Sequence, residues 1–228
     1  MRIVYGFILA LALTVLGFWP SFFSNPAQND WLHIVHGTLA TGWMVMLIVQ
    51  AWLIHHNHVK THHLIGRLSM GWVAALVATA VAMVHVMLTQ SVAHGMPGKL
   101  ALILGFTDMT TLPLFTIFYG LAVWHAFRRN IDIHYRLMIS TLAFAIIPGI
   151  GRIRWPWAHG LIDGLTTALI IVEIALAALL VYDFVKHKKI LPPYIVALVS
   201  IVIVHLLTFH APQIAPYMAV ARILGYVG

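Results

Sequence analysis

The chain contains no cysteine. Disulfides, iron–sulfur clusters and thiolate-bound zinc are therefore excluded at the outset. Charge is scarce as well: 8% of the residues are Asp, Glu, Lys or Arg, and only six are acidic. Soluble domains carry roughly 25% charge, so this composition excludes a solvated globular protein. No small-x-small cleavage site follows the first apolar run, which reaches Trp19 and Pro20. That run reads as a span and not as a cleaved signal.

What is present is apolar sequence. Hydrophobic residues make up 61% of the 228, and the runs recur at lengths near the ~20 residues that cross a bilayer as helix. The pattern predicts an all-α polytopic integral membrane bundle, one domain over 1–228. About seven transmembrane helices are expected, at 3–19, 31–54, 66–89, 100–127, 136–154, 160–184 and 192–210. Asp30 is placed to cap the second. The later loops are short, which predicts antiparallel neighbours. His94 falls in a Gly/Pro-rich loop and reads as solvated. The tail 211–228 carries apolar residues on a helical period after Pro216 and is expected to lie along the outer interface, the alternative being that it packs against the bundle.

The formal charge of +7 does not point to nucleic acid, because the cations sit at span ends. With the N-terminus cytoplasmic, the inner side holds nine of them: Arg2, Lys60, Arg67, Arg128, Arg129, Arg136, Lys186, Lys188 and Lys189. The outer side holds Lys99, Arg152, Arg154 and Arg222. This bias sets the expected orientation.

Histidine is the outlier, fifteen residues in all. His36, Trp43 and Gln50 are spaced by sevens and form one stripe on a helix. Polar groups inside a membrane are expensive and by default face the bundle. Four histidines on four expected helices at comparable depth, His36, His85, His159 and His205, are the candidate ligands for haem b or for a transition metal (Zn, Fe or Cu). His33, Asp108, Arg152, Asp163 and Glu173 are placed around that outer site, with His159 and Asp163 expected on one helical face. Glu173 needs a partner, and Arg152 or Arg154 is the candidate. Towards the inner side, Gln50, His63, Arg67, His134 and Arg136 form a second group. Arg67 and Arg136 are suited to a lipid phosphate, while His55, His56 and His58 read as loop chemistry. The segments HHLIGRLS and HYRLMIS, which open the third and fifth spans, suggest a weak internal repeat.

The motif HGTLATGWMVMLIVQAWLI, with HHLIGRLS and HYRLMISTLAFAIIPGIGR, resembles a group of bacterial multi-pass membrane proteins of unassigned function. The match rests on His36, Trp43, Gln50, His63, Gly66, His134, Arg136, Met138, Pro148 and Arg152, and covers residues 33–155. It implies a bacterial cytoplasmic (inner) membrane protein. A weaker similarity is to ascorbate-reducible b-type cytochromes, in which histidines at two membrane levels hold two haems. Clean histidine pairs at both levels are not found in this chain.

Three functions follow. The first is redox: a histidine-lined site near the outer face, exchanging electrons with a lipid-soluble carrier such as a quinone. The second is a zinc or di-iron intramembrane enzyme acting on a lipid. Against it, His205 and His210 are one residue too far apart for His–x–x–x–His, and the histidine boxes of desaturases are not reproduced. The third is a transporter, a sensor or an accessory subunit of a larger membrane complex. No lysine stands in the seventh span, which excludes a retinal Schiff base there. Small residues such as Gly37, Thr41, Gly42, Gly71 and Ala75 permit close helix packing, within the chain or in a homo-oligomer.

Overall fold

The computed structural model describes residues 1–91 and 95–226; His94 lies outside them. The described residues are helical, with no strand among them. Six helices are long and apolar enough to cross a membrane. By length and composition this is a multi-pass membrane protein. The last apolar helix expected to span, Pro192–Thr208, is shorter at 17 residues.

The chain divides into two compact units, Met1–Met83 and Val84–Gly228. The first holds α1 (Arg2–Phe18), α2 (Trp31–His55) and most of α3 (Val59–Val86). Pro20 lies at the start of a single π-turn, Trp19–Phe23, that continues α1. Asp30 caps α2 as expected: its Oδ1 accepts from the His33 backbone N–H at 2.9 Å, and its Oδ2 meets His33 Nδ1 at 2.8 Å. These bonds, the backbone one first, hold the Asp30 carboxyl below the usual carboxylate range. Trp72 Nε1 donates to the Leu39 carbonyl at 2.8 Å, tying α3 to α2. Gly42 makes room for that indole.

The second unit holds α4 (Gly98–Phe127), α5 (Ile131–Ala145), α6 (Ile147–Gly151), α7 (Leu161–His187), α8 (Pro192–Thr208) and α9 (Ala215–Ile223). The fifth span breaks at Ile146, ahead of Pro148. Pro148 then sits in the first turn of α6, where its missing N–H has no helical partner to lose. Gly151 and Gly164 bring the α6 and α7 backbones together closely enough to leave no room for a Cβ at Gly164. The tail forms a helix, α9, and packs into a buried cluster: Tyr217 and Ala221 meet Leu88, Leu102 and Phe106. Tyr217 Oη donates to the Leu102 carbonyl at 2.6 Å, and burial pushes its hydroxyl pKa up.

The third and fifth helices begin at Val59 and Ile131, several residues before the apolar runs do. Their first turns, VKTHHL and IDIHY, are polar yet helical. Hydropathy marks hydrocarbon length, and these helices run past it.

Candidate intramembrane polar site

In the first unit, the stripe on α2 faces α3. His36 Nδ1 meets Thr79 Oγ1 at 3.1 Å. The Thr79 hydroxyl spends its proton on the Ala75 and Leu76 carbonyls, so His36 must donate through Nδ1–H, which leaves the lone pair on Nε2. Trp43 is 1% exposed. Gln50 Nε2 donates to the His62 carbonyl at 3.1 Å, and its Oε1 is buried without a hydrogen-bond partner among the described residues. His63 and Arg67, expected beside Gln50, are exposed instead. The loop histidines turn to Trp52: His56 donates Nδ1–H to its carbonyl at 2.9 Å and stacks on its ring, as does His58.

In the second unit, α7 carries three acids, and two of them, Glu173 and Asp183, each meet a base from a neighbouring helix. Glu173, near the middle of α7, accepts from or donates to His205 Nδ1 of α8 at 2.8 Å. Arg152 and Arg154, the partners expected for Glu173, do not supply this contact. Arg152 lies within electrostatic reach of Asp108 and donates to the Pro148 carbonyl at 3.0 Å. Ten residues further along α7, Asp183 forms a two-point ion pair with Arg136 of α5, through Nε to Oδ2 and Nη2 to Oδ1. Arg136 also donates to the Asp132 carbonyl at 2.6 Å and covers the Tyr135 ring at 4.4 Å. The guanidinium expected at a lipid phosphate is thus sealed inside the protein, because a buried cation needs a fixed counter-charge more than a mobile one.

The remaining expected residues scatter. His85 Nδ1 donates to the Leu224 carbonyl at 2.7 Å and pins the chain end after α9. His159 precedes α7 in an exposed loop; its backbone N–H, and not its ring, reaches Asp163 Oδ2 at 2.9 Å. The two therefore do not share a helical face. His134 Nδ1 donates to the Ala122 carbonyl at 2.8 Å, and His125 Nδ1 is buried without a hydrogen-bond partner among the described residues.

Among the described residues no three His, Asp or Glu side chains come together as a metal site. A zinc or di-iron centre needs such a set, so these residues do not fit one. Sequence reasoning missed Asp183 and Thr79. Asp183 had a readable signal, an acid inside an apolar span with no partner assigned.

The fold and its paired polar groups define a multi-pass helical membrane protein with acid–base contacts between its helices. No family model, no curated protein and no solved structure matches this chain. Neither resemblance drawn from its motifs gains a matched family.

Proposed function

We propose that the chain is a seven-span protein of a bacterial inner membrane, N-terminus cytoplasmic, that relays a proton through the α7–α8 pair. The carrying observation is the His205–Glu173 contact at 2.8 Å, with side chains 22% and 21% exposed. Sequence charge bias supports the orientation. An imidazole that takes a proton at Nε2 passes its Nδ1 proton to the carboxylate, which leaves the ring as the Nε2–H tautomer and Glu173 protonated; release of that proton and return of the ring to the Nδ1–H tautomer reset the pair. Partial exposure leaves both ends open to exchange.

The redox reading, with haem b, rests on a narrower observation. His36, His85 and His205 are each anchored through Nδ1, which is how metal-ligating imidazoles are oriented. An axial role needs only one or two Nε2 lone pairs. The non-enzymatic transporter reading shares the proton step and differs in cargo.

The test is proton flux into liposomes holding the purified protein and an internal pH dye. Wild-type protein is expected to conduct protons, and Glu173→Gln to slow flux by about 100-fold. Flux equal to that of empty liposomes, or unchanged in Glu173→Gln, refutes the relay. Oxidised and dithionite-reduced spectra of the same sample decide the second reading: a Soret band with sharpened α and β bands supports haem, and a featureless spectrum removes it.

A further inference from the structure

Two turns of this chain are built alike, bond for bond. Asn57 and Arg129 both take the left-handed backbone conformation, φ 59° and 58°, and stand 72 positions apart. At that offset the hydrogen bonds that close the α2–α3 turn recur in the α4–α5 turn. His56 N donates to Trp52 O and Arg128 N to Trp124 O, both at 3.1 Å. His58 N donates to Leu53 O at 2.8 Å and Asn130 N to His125 O at 2.9 Å. His62 N to His58 O and His134 N to Asn130 O are both 3.0 Å.

The side chains keep the same register. Trp52 corresponds to Trp124, and the residue four places on lies over each indole. The His56 ring is 4.4 Å from one centroid, the Arg128 guanidinium 4.2 Å from the other. The register continues along the helices, where Trp43 and Phe115 are buried, as are Ser69 and Thr141. At the end of α7 a related arrangement is shifted by one residue, so that the left-handed residue itself lies over the ring. Lys188 has φ 51°, its N–H reaches the Phe184 carbonyl, and its ammonium is 6.0 Å from the Phe184 ring.

Backbone geometry accounts for the hydrogen bonds but not for these side chains. The left-handed position after a helix favours Gly, because a Cβ there costs about 1–2 kcal/mol. Arg129 and Lys188 occupy it nonetheless. Among the described residues Arg128 and Arg129 have no acidic partner; the nearest acid in that turn, Asp132, faces Arg136. Trp124 and Phe127 are exposed beside them. An exposed indole under an unpaired guanidinium, at the end of a membrane-length helix, is complementary to an anionic headgroup. The ring settles at headgroup depth, and the planar fork takes phosphate oxygens two at a time.

We infer that the α4–α5 turn, through Trp124, Arg128 and Arg129, is a binding site for an anionic phospholipid headgroup, and that the α2–α3 turn is a second, weaker copy. The copy is weaker because it places a histidine where the α4–α5 turn places an arginine, whose planar guanidinium is the better phosphate ligand. The inference does not depend on the proton relay.

The experiment is native mass spectrometry of the full chain in detergent, titrated with phosphatidylglycerol or phosphatidylcholine, with melting temperature measured in parallel. Wild-type protein is expected to retain phosphatidylglycerol over phosphatidylcholine. Arg128→Gln and Arg129→Gly should each lower that retention about five-fold, or about 1 kcal/mol per cation. Arg129→Gly relieves the left-handed strain, so its melting temperature should hold or rise while lipid is lost. Retention unchanged in Arg129→Gly, or equal retention of the two lipids, overturns the inference. Displacement of the lipid by excess inorganic phosphate also overturns it, by assigning the turn to the free ion.

Discussion

Two acid–base contacts on one helix differ in how far they are sealed. Arg136 and Asp183 are 2% and 4% exposed, whereas His205 and Glu173 stay above 20%. The sealed pair exchanges nothing; its role is to fix α5 against α7. Breaking it by Asp183→Asn leaves a buried guanidinium unmatched, at a cost of about 3–5 kcal/mol. A large fall in thermal stability in detergent is therefore expected. Replacing both partners by Leu should recover most of the loss, because no unpaired charge remains. If Asp183→Asn melts with the wild type, the pair is not the fastener described.

At the scale of elements, two prolines show how helices treat the same residue differently. Pro113 lies inside α4, which passes it unbroken, flanked by Thr110 and Thr111 hydroxyls that donate back to the Phe106 and Thr107 carbonyls. Pro148 coincides with a break and opens a new helix. Close packing is equally local. A Cβ at Gly42 would fall 2.5 Å from Trp72 Cζ2. Gly42→Leu is accordingly expected to push the indole away, break its bond to the Leu39 carbonyl and destabilise the α2–α3 hairpin by about 1–3 kcal/mol. Hydrogen exchange over residues 36–46 should then rise; unchanged protection would mean that the indole has another place to go.

At the scale of the whole molecule, the open quantity is the number of crossings. The absence of native cysteine makes single-cysteine labelling clean. With seven spans and the N-terminus inside, a membrane-impermeant maleimide should label Asn25→Cys and Gln213→Cys from the outside of intact cells. Lys189→Cys should label only after lysis. If Gln213→Cys groups with Lys189→Cys, the 17-residue α8 does not cross and the chain has six spans.

The sequence by itself determined that the chain is helical, where its apolar spans lie, the cap at Asp30 and the presence of polar residues at intramembrane depth. Each of these is a property of one segment against its solvent: run length against bilayer thickness, or a side chain against the next turn of its own helix. Tertiary structure decided the partners. Glu173 takes His205 and not an arginine, Arg136 takes Asp183 and not a lipid, and His85 spends its ring on the chain's own end. Which polar groups meet depends on which helices are neighbours and how each is rotated, and a bilayer that treats all apolar faces alike writes little of that into hydropathy. The repeated turn lies between these cases. Its two tryptophans, Trp52 and Trp124, were legible as letters, but only the shared backbone bonds put them in register.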